Sequence, residues 1–358
     1  MLFTSRRRSY GFAAMSLLVV ASLLAACGGA NNQASSATTA AATAAGTTAA
    51  AKPLKVAFFN AVATNTFTKA AVDGIEAMAK KVNAEVIAFD AKFDATVQAN
   101  QMQDAVATGK FDIFIVIPIN NAGLVPVAQE AVKAGITVVS ILSTIGTNLD
   151  TLKSSVDGVI TIGQTFTANG TDIADQVVKA CGTLSPCKVA YMPADAKQAT
   201  EKIRSDAVLA GLAKVSAIEV VSTQPGGFDA GSGLTAAQNI ITAHPDIDVM
   251  AASAGQAISG AIQAIGQAGL TGKVKVVSNG ATIEDITGIR DGSIFASPVF
   301  LPRTEGSMAM ELGAKAHRGE KVPTEVDELT YSPIGRVADT ASLSTEKGKA
   351  FVGEYSSH

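Results

Sequence analysis

From Lys52 onward, short apolar runs rich in β-branched residues alternate with longer stretches whose apolar positions recur every three or four residues. The first kind of run predicts strands at 54–59, 85–89, 113–117 and 136–141, and again at 188–192, 218–223, 248–252, 274–278 and 294–299. The second kind predicts helices at 66–82, 95–108, 121–133, 166–180, 198–214, 233–243, 256–268 and 304–317. Ile113-Phe-Ile-Val-Ile117 is apolar at every position, the mark of a parallel strand buried on both faces. Strand and helix alternate, break near residue 165 and restart. The pattern therefore predicts an α/β fold of two doubly wound parallel-sheet lobes. The stretch from Pro323, with Val326 to Tyr331, reads as a strand or crossover rather than a further domain.

Before Lys52 the pattern differs. Arg6-Arg7-Arg8 precedes fifteen largely apolar residues, 12–26, which is the shape of a secretory leader and shorter than the ~20 residues a spanning helix needs. Leu24-Ala-Ala-Cys27 closes that stretch and resembles the lipobox of bacterial lipoproteins, in which the cysteine is acylated and becomes the new N-terminus. Residues 28–51 hold only Gly, Ala, Asn, Gln, Ser and Thr, too little apolar side chain to offset the entropy of ordering them. The expected organisation is a leader at 1–26, a tether at 27–52, one lobe from 53–163 with 301–328, and a second from 164–300 with 329–358. The protein is thus expected outside the cytoplasm, held to the membrane's outer face by a lipid on Cys27 alone.

Composition narrows the chemistry. The mean hydropathy of +0.28 suggests a membrane protein, but part of it sits in the leader and the Ala-rich tether. A net charge of −3 leaves no basic footprint for nucleic acid. Three histidines, three cysteines and no tryptophan supply little for a metal site or imidazole chemistry, so no cofactor, no metal and no enzymatic activity are expected. Outside the cytoplasm, Cys181 and Cys187, flanking a five-residue loop, read as a disulfide, with two buried thiols as the alternative. Gly231-Ser-Gly-Leu-Thr-Ala236 satisfies a dinucleotide fingerprint in letters only, because the preceding strand ends too far upstream, at Thr223; it reads as a helix start.

Gln224-Pro-Gly-Gly-Phe-Asp229, followed by Gln238-Asn239 and Thr242-Ala-His-Pro-Asp246, resembles the type I periplasmic sugar-binding proteins of ABC importers, the ribose-binding group especially. Thr64-Asn-Thr-Phe67 with Asp73-Gly74 is similar to that family's first ligand loop, and Gly319-Glu-Lys-Val322 to the turn before its last crossover. The resemblance runs from about residue 54 to 335. It implies two lobes joined by three crossovers, a sugar-sized ligand between them, a permease as partner and a monomer in solution. A sensory receptor subunit would share this body. The chain departs from the family's pattern at several contact positions: Leu142 and Ser143 replace an acid and an arginine, Ala254-Gly255 replaces Asn-Asp, Asn279 or Gly280 stands for an aspartate, Phe300 for the hinge glutamine, and Thr68 for a stacking aromatic. The basic position survives as Lys202, with Arg204 beside it. Fewer charged groups point to a less polar ligand, or to one read by amides, hydroxyls and Lys202 or Arg204.

In open α/β sheets, ligands bind beyond the carboxyl ends of the strands. That rule and the resemblance nominate Asn60, Asn65, Phe67, Thr68, Asn120, Asn121 and Ser143 in the first lobe. In the second they nominate Asp195, Lys202, Arg204, Phe228, Ser253, Gln256 and Asn279, with Phe300 near a crossover. Asn and Ser at such places also serve as turn and helix-cap residues. Lys202 and Arg204, two apart on a predicted helix, point in different directions, so one of them is expected to reach the cleft, with Lys202 favoured.

Overall fold

The computed structural model describes residues 52–195 and 197–358. The leader, Cys27 and the tether to residue 51 lie outside the described residues.

Two six-stranded sheets carry the fold. In the first, β1 (Leu54–Asn60), β2 (Ala84–Asp90), β3 (Ile113–Val116), β4 (Thr137–Leu142), β5 (Ile160–Gly163) and β11 (Glu325–Asp327) lie in the order β11-β5-β4-β3-β1-β2, all parallel. Its helices are α1 (Thr66–Val82), α2 (Ala95–Thr108), α3 (Val125–Lys133) and α9 (Pro302–His317). The second sheet holds β6 (Cys187–Met192), β7 (Ile218–Thr223), β8 (Val249–Ala252), β9 (Lys275–Val277), β10 (Ala296–Pro298) and β12 (Val337–Asp339), in the order β12-β10-β9-β8-β6-β7. Here β12 runs antiparallel to β10 and the other pairings are parallel. Its helices are α4 (Phe166–Cys181), α5 (Ala199–Leu212), α6 (Ala230–Ala243), α7 (Gly255–Gln267), α8 (Ile283–Asp291), α10 (Thr340–Ser344) and α11 (Glu346–Ala350).

The two-lobed α/β reading is borne out, and its reason is visible. Every residue of β3 and of β8 is buried, because helices cover both faces of each sheet. The core accordingly falls into four apolar clusters, one on each face of each sheet. The chain crosses between sheets three times, after Gly163, after Pro298 and between Asp327 and Val337.

Helix starts follow local chemistry. Asn65, Asp94 and Asp229 accept hydrogen bonds from backbone N–H groups in the first turns of α1, α2 and α6, and Thr282 and Asp285 form a reciprocal capping box at α8. Asp229 thus accounts for the Gly231-Ser-Gly-Leu-Thr-Ala stretch as the opening of α6. Five elements escape the periodic pattern: β5, α8, β12, α10 and α11. Each is nine residues or fewer, and α8 carries Gly288 in its interior. Cys181 and Cys187 are joined in a disulfide between the end of α4 and the start of β6.

Candidate functional site

The carboxyl ends of both parallel sheets face one cleft, a cavity of about 120 Å³ walled from both sides. The first lobe contributes Ala61 and Val62 after β1, Asn65, Phe67 and Thr68 at the start of α1, Phe93 after β2, Ile117 to Ile119 after β3, and Leu142 at the end of β4 with Ser143 after it. From the second come Phe166, Gln198, Thr200, Glu201, Arg204, Phe228, Ser253, Ala254, Gln256, Asn279, Phe300 and Tyr355. The lobes touch across the mouth: the Phe93 and Phe228 rings are 6.1 Å apart, and Gln256 Nε2 stands 3.5 Å from Thr66 Oγ1.

Several wall residues are already committed to the protein. Asn65 Oδ1 accepts from Phe67 N at 2.8 Å, which caps α1 and aims the Phe67 ring inward. The Thr68 hydroxyl donates to the Val62 carbonyl. Ser143 Oγ accepts from Asn121 Nδ2 at 2.8 Å, so Asn121 stands behind the wall and braces it. Asn279 Nδ2 donates to the Ser253 carbonyl at 2.8 Å while its Oδ1 accepts from Asn169 Nδ2 at 2.9 Å.

The charged centre is an ion pair. Arg204 and Glu201, one helical turn apart on α5, are both buried and bonded to each other. Glu201 Oε2 also accepts from Ser253 Oγ at 2.6 Å, and Ser253 Oγ in turn accepts from Ala194 N at 2.7 Å. The Arg204 guanidinium lies 4.6 Å from the centre of the Phe166 ring and 5.6 Å from that of Phe300. Its Nε has no hydrogen-bond partner, nor has Gln198 Nε2. A buried donor without an acceptor costs about 1–3 kcal/mol, which an acceptor on a bound molecule would recover. The pair is neutral overall, so the wall presents donors and aromatic faces rather than net charge.

Backbone strain also gathers here. Phe93 and Leu142, both in the wall, hold φ of 64° and 70°, and Ala281, next to the Asn279–Gly280 turn, holds 48°. Non-glycine residues in the left-handed region cost roughly 1–3 kcal/mol each and concentrate at ligand sites.

Behind the cleft the three crossings are stitched together. Gln164 Nε2, on the first, donates to Val299 O on the second and to Glu328 Oε1 on the third, each at 2.8 Å. Leu301 N donates to Glu328 Oε2 at 2.8 Å. Glu305 on α9 faces Glu328, and neither residue is exposed. Burial, then the neighbouring Glu328 charge, holds Glu305 well above the ordinary carboxylate range; burial raises Glu328 to about 7. Burial therefore favours the protonated form of Glu305, whose carboxyl oxygens have no hydrogen-bond partner.

The nominated residues divide. Asn65, Phe67, Thr68, Ser143, Arg204, Phe228, Ser253, Gln256, Asn279 and Phe300 all stand in the wall. The other five do not, and Asn121, which braces Ser143 from behind, is one of them. Asn60 is buried, with Oδ1 accepting from Val62 N, and shapes the turn after β1. Asn120 accepts from Gly123 N at 3.0 Å on an exposed turn. Lys202 projects to solvent, paired with Asp206 at 2.6 Å. Two residues along a helix rotate a side chain by about 200°, so burying Arg204 turns Lys202 outward; the inward cation is Arg204. Asp195 likewise caps a turn, accepting from Lys197 N at 2.9 Å. Glu201, Phe93, Phe166 and Tyr355 were not anticipated. A signal existed for Glu201, an acid three residues before an arginine on one helix face; for Tyr355, far along the chain, there was none.

Two lobes share a cleft, with side chains from both in its wall and three chain crossings behind, which is the architecture of a two-lobed binding protein. The profile of the periplasmic binding protein domain family matches residues 56–321, and the chain belongs to that family. The ribose import binding protein of Salmonella typhimurium is 25% identical over 267 residues, covering 75% of this chain and 86% of the relative. The D-allose-binding periplasmic protein of Escherichia coli is 25% identical over 253 residues, 70% and 80% of the two chains. Among solved structures, an ABC transporter solute binding protein from Mycobacterium smegmatis with bound glycerol superposes with a TM-score of 0.70 at 26% identity, covering 84% of this chain and 97% of the other. Among the described residues, no helix is long and apolar enough to cross a membrane, and no group of three or more His, Cys, Asp or Glu is placed to hold a metal ion.

Proposed function

We propose that this chain is the lipid-anchored solute-binding component of an ABC importer, a binder rather than an enzyme. It captures a neutral, hydroxylated small molecule of sugar type and presents the closed form to a permease. The observation that carries this reading is the cleft itself: aromatic rings from both lobes converge on a neutral Arg204–Glu201 pair whose arginine retains an unpartnered donor. Rings suit the apolar face of a cyclic polyol, and a guanidinium suits its oxygens. The relatives, named for ribose and allose, support the same class.

In this reading, lobe one is 53–163 with 301–328 and lobe two is 164–300 with 329–358. The ligand is held by Asn65, Phe67, Thr68, Ser143, Arg204, Phe228, Ser253, Gln256, Asn279 and Phe300. The leader 1–26 is removed, Cys27 carries the lipid, and 27–52 tethers a monomeric body outside the membrane. A ligand favours closure only through contacts made to both lobes at once. The same closed form could serve a membrane sensor, which a neighbouring permease and ATPase in the genome would argue against.

A thermal-shift screen of pentoses, hexoses, polyols and nucleosides tests the reading. A ligand at 100 times its Kd adds about 2.7 kcal/mol to native stability. At least one polyhydroxylated compound should raise Tm, and Phe67→Ala should abolish that rise. A screen in which only nucleosides or charged compounds act would contradict the proposed ligand class.

A further inference from the structure

The segment 351–358 lies beyond the stretch that the family profile matches, yet it reaches the cleft. It leaves α11 and packs along the turn between β9 and α8. Ile283 N donates to Tyr355 O at 2.9 Å, and the Glu284 carboxylate accepts from Ser356 Oγ and Ser357 N, each at 2.6 Å. It also reaches α9 on the other lobe: Glu354 accepts from Thr304 N at 3.0 Å and from Thr304 Oγ1 at 2.5 Å, and its carbonyl accepts from Arg303 Nη2 at 3.1 Å. The segment is thus a non-covalent strap from the second lobe to the first.

Two glycines make room for it. Gly353, at φ 83°, lies so close to Ala281 and Thr282 that a β-carbon would crowd their backbone atoms at 2.8 Å. A β-carbon on Gly280, at φ 119°, would overlap the Tyr355 hydroxyl. The Tyr355 ring is 95% buried and meets Phe67 edge-on, with centroids 5.4 Å apart. Its hydroxyl makes no hydrogen bond to the protein, though the residue lines the cavity. Tyr355 Oη is not closed off from the cavity, so a ligand hydroxyl can reach it there. Burial, reinforced by the Asp285 and Glu328 carboxylates, raises its pKa far above the ordinary value, so the hydroxyl stays protonated and can both give and accept.

We propose that the 351–358 strap is a built part of the binding site and that Tyr355 Oη is a direct hydrogen-bonding contact to a hydroxyl of the ligand. Tyr355 joins Phe67 from the opposite lobe on the same ligand, so it strengthens both affinity and closure. This assignment rests on the cleft being the solute site, and the test separates the two claims.

The probes are D-ribose, D-allose and glycerol, titrated calorimetrically into the full chain and into Tyr355→Phe. The substitution removes no protein hydrogen bond, so the variant should fold and melt like the parent; its affinity for a bound probe should fall by about tenfold. The parent offers an independent readout. It has no tryptophan and four tyrosines. Among the described ones, Tyr355 alone lines the cleft, so tyrosine emission should change on saturation even if the variant folds badly. Binding by the parent with undiminished affinity in Tyr355→Phe, or with unaltered tyrosine emission, would overturn the Tyr355 assignment and leave the solute reading standing. Failure of these three probes and of every other pentose, hexose and polyol to bind the parent would overturn both.

Discussion

Residue chemistry at the cleft turns on one buried pair. Arg204 and Glu201 satisfy each other's charge, and Ser253 takes up a further carboxylate oxygen. Breaking such a pair from one side leaves an uncompensated buried charge, a loss of about 3–5 kcal/mol. Arg204→Met should therefore lower the urea midpoint steeply and abolish ligand binding. Lys202→Ala, two residues away, should shift stability by less than about 1 kcal/mol and leave affinity intact, because its ion pair with Asp206 is exposed. Equal effects of the two substitutions would refute Arg204 as the inward cation. The sequence supported one basic residue here but favoured the wrong one, since helix phase depends on where α5 meets its neighbours. Asn65 and Phe67 were legible because a capping residue and the ring it aims sit side by side in the chain. Tyr355 was not, because packing over Gly280 brings it to the cleft from about 75 positions away.

Among elements, the three crossings behave as one unit because Glu328 accepts from both of the others. The Glu305–Glu328 contact makes that unit sensitive to pH. Both carboxyls hold protons more tightly folded than unfolded, Glu328 at about 7 against an ordinary 4.5. Their contribution to stability is therefore complete below about 4.5 and is lost as pH rises through about 7. Urea midpoints measured from pH 5 to 8 should decline, and Glu305→Gln, which keeps a donor without a titrating proton, should flatten that decline. A parent midpoint that rises over this range would contradict the burial-raised carboxyls. None of this was legible in sequence, where two glutamates 23 positions apart look like surface charge. The long helices and buried strands were legible because their periodicity reports their environment. The four-residue β5 and three-residue β12 offer too few positions for a period to register.

For the whole molecule, the arrangement follows from repetition. Two runs of alternating strand and helix must each close a sheet with helices on both faces, and three crossings tie the pair. The pattern predicted the two sheets and where the cleft must lie, at the carboxyl ends of the strands, and the family resemblance implied the three crossings. What it could not supply is the inner surface, because which side of a turn faces a partner lobe is decided by tertiary contact. A ligand bridging the lobes should drive their closure. Small-angle X-ray scattering of the full chain, with and without a saturating hit from the polyol screen, tests it most directly. The radius of gyration should fall with ligand; an unchanged profile at saturation would rule out ligand-driven closure.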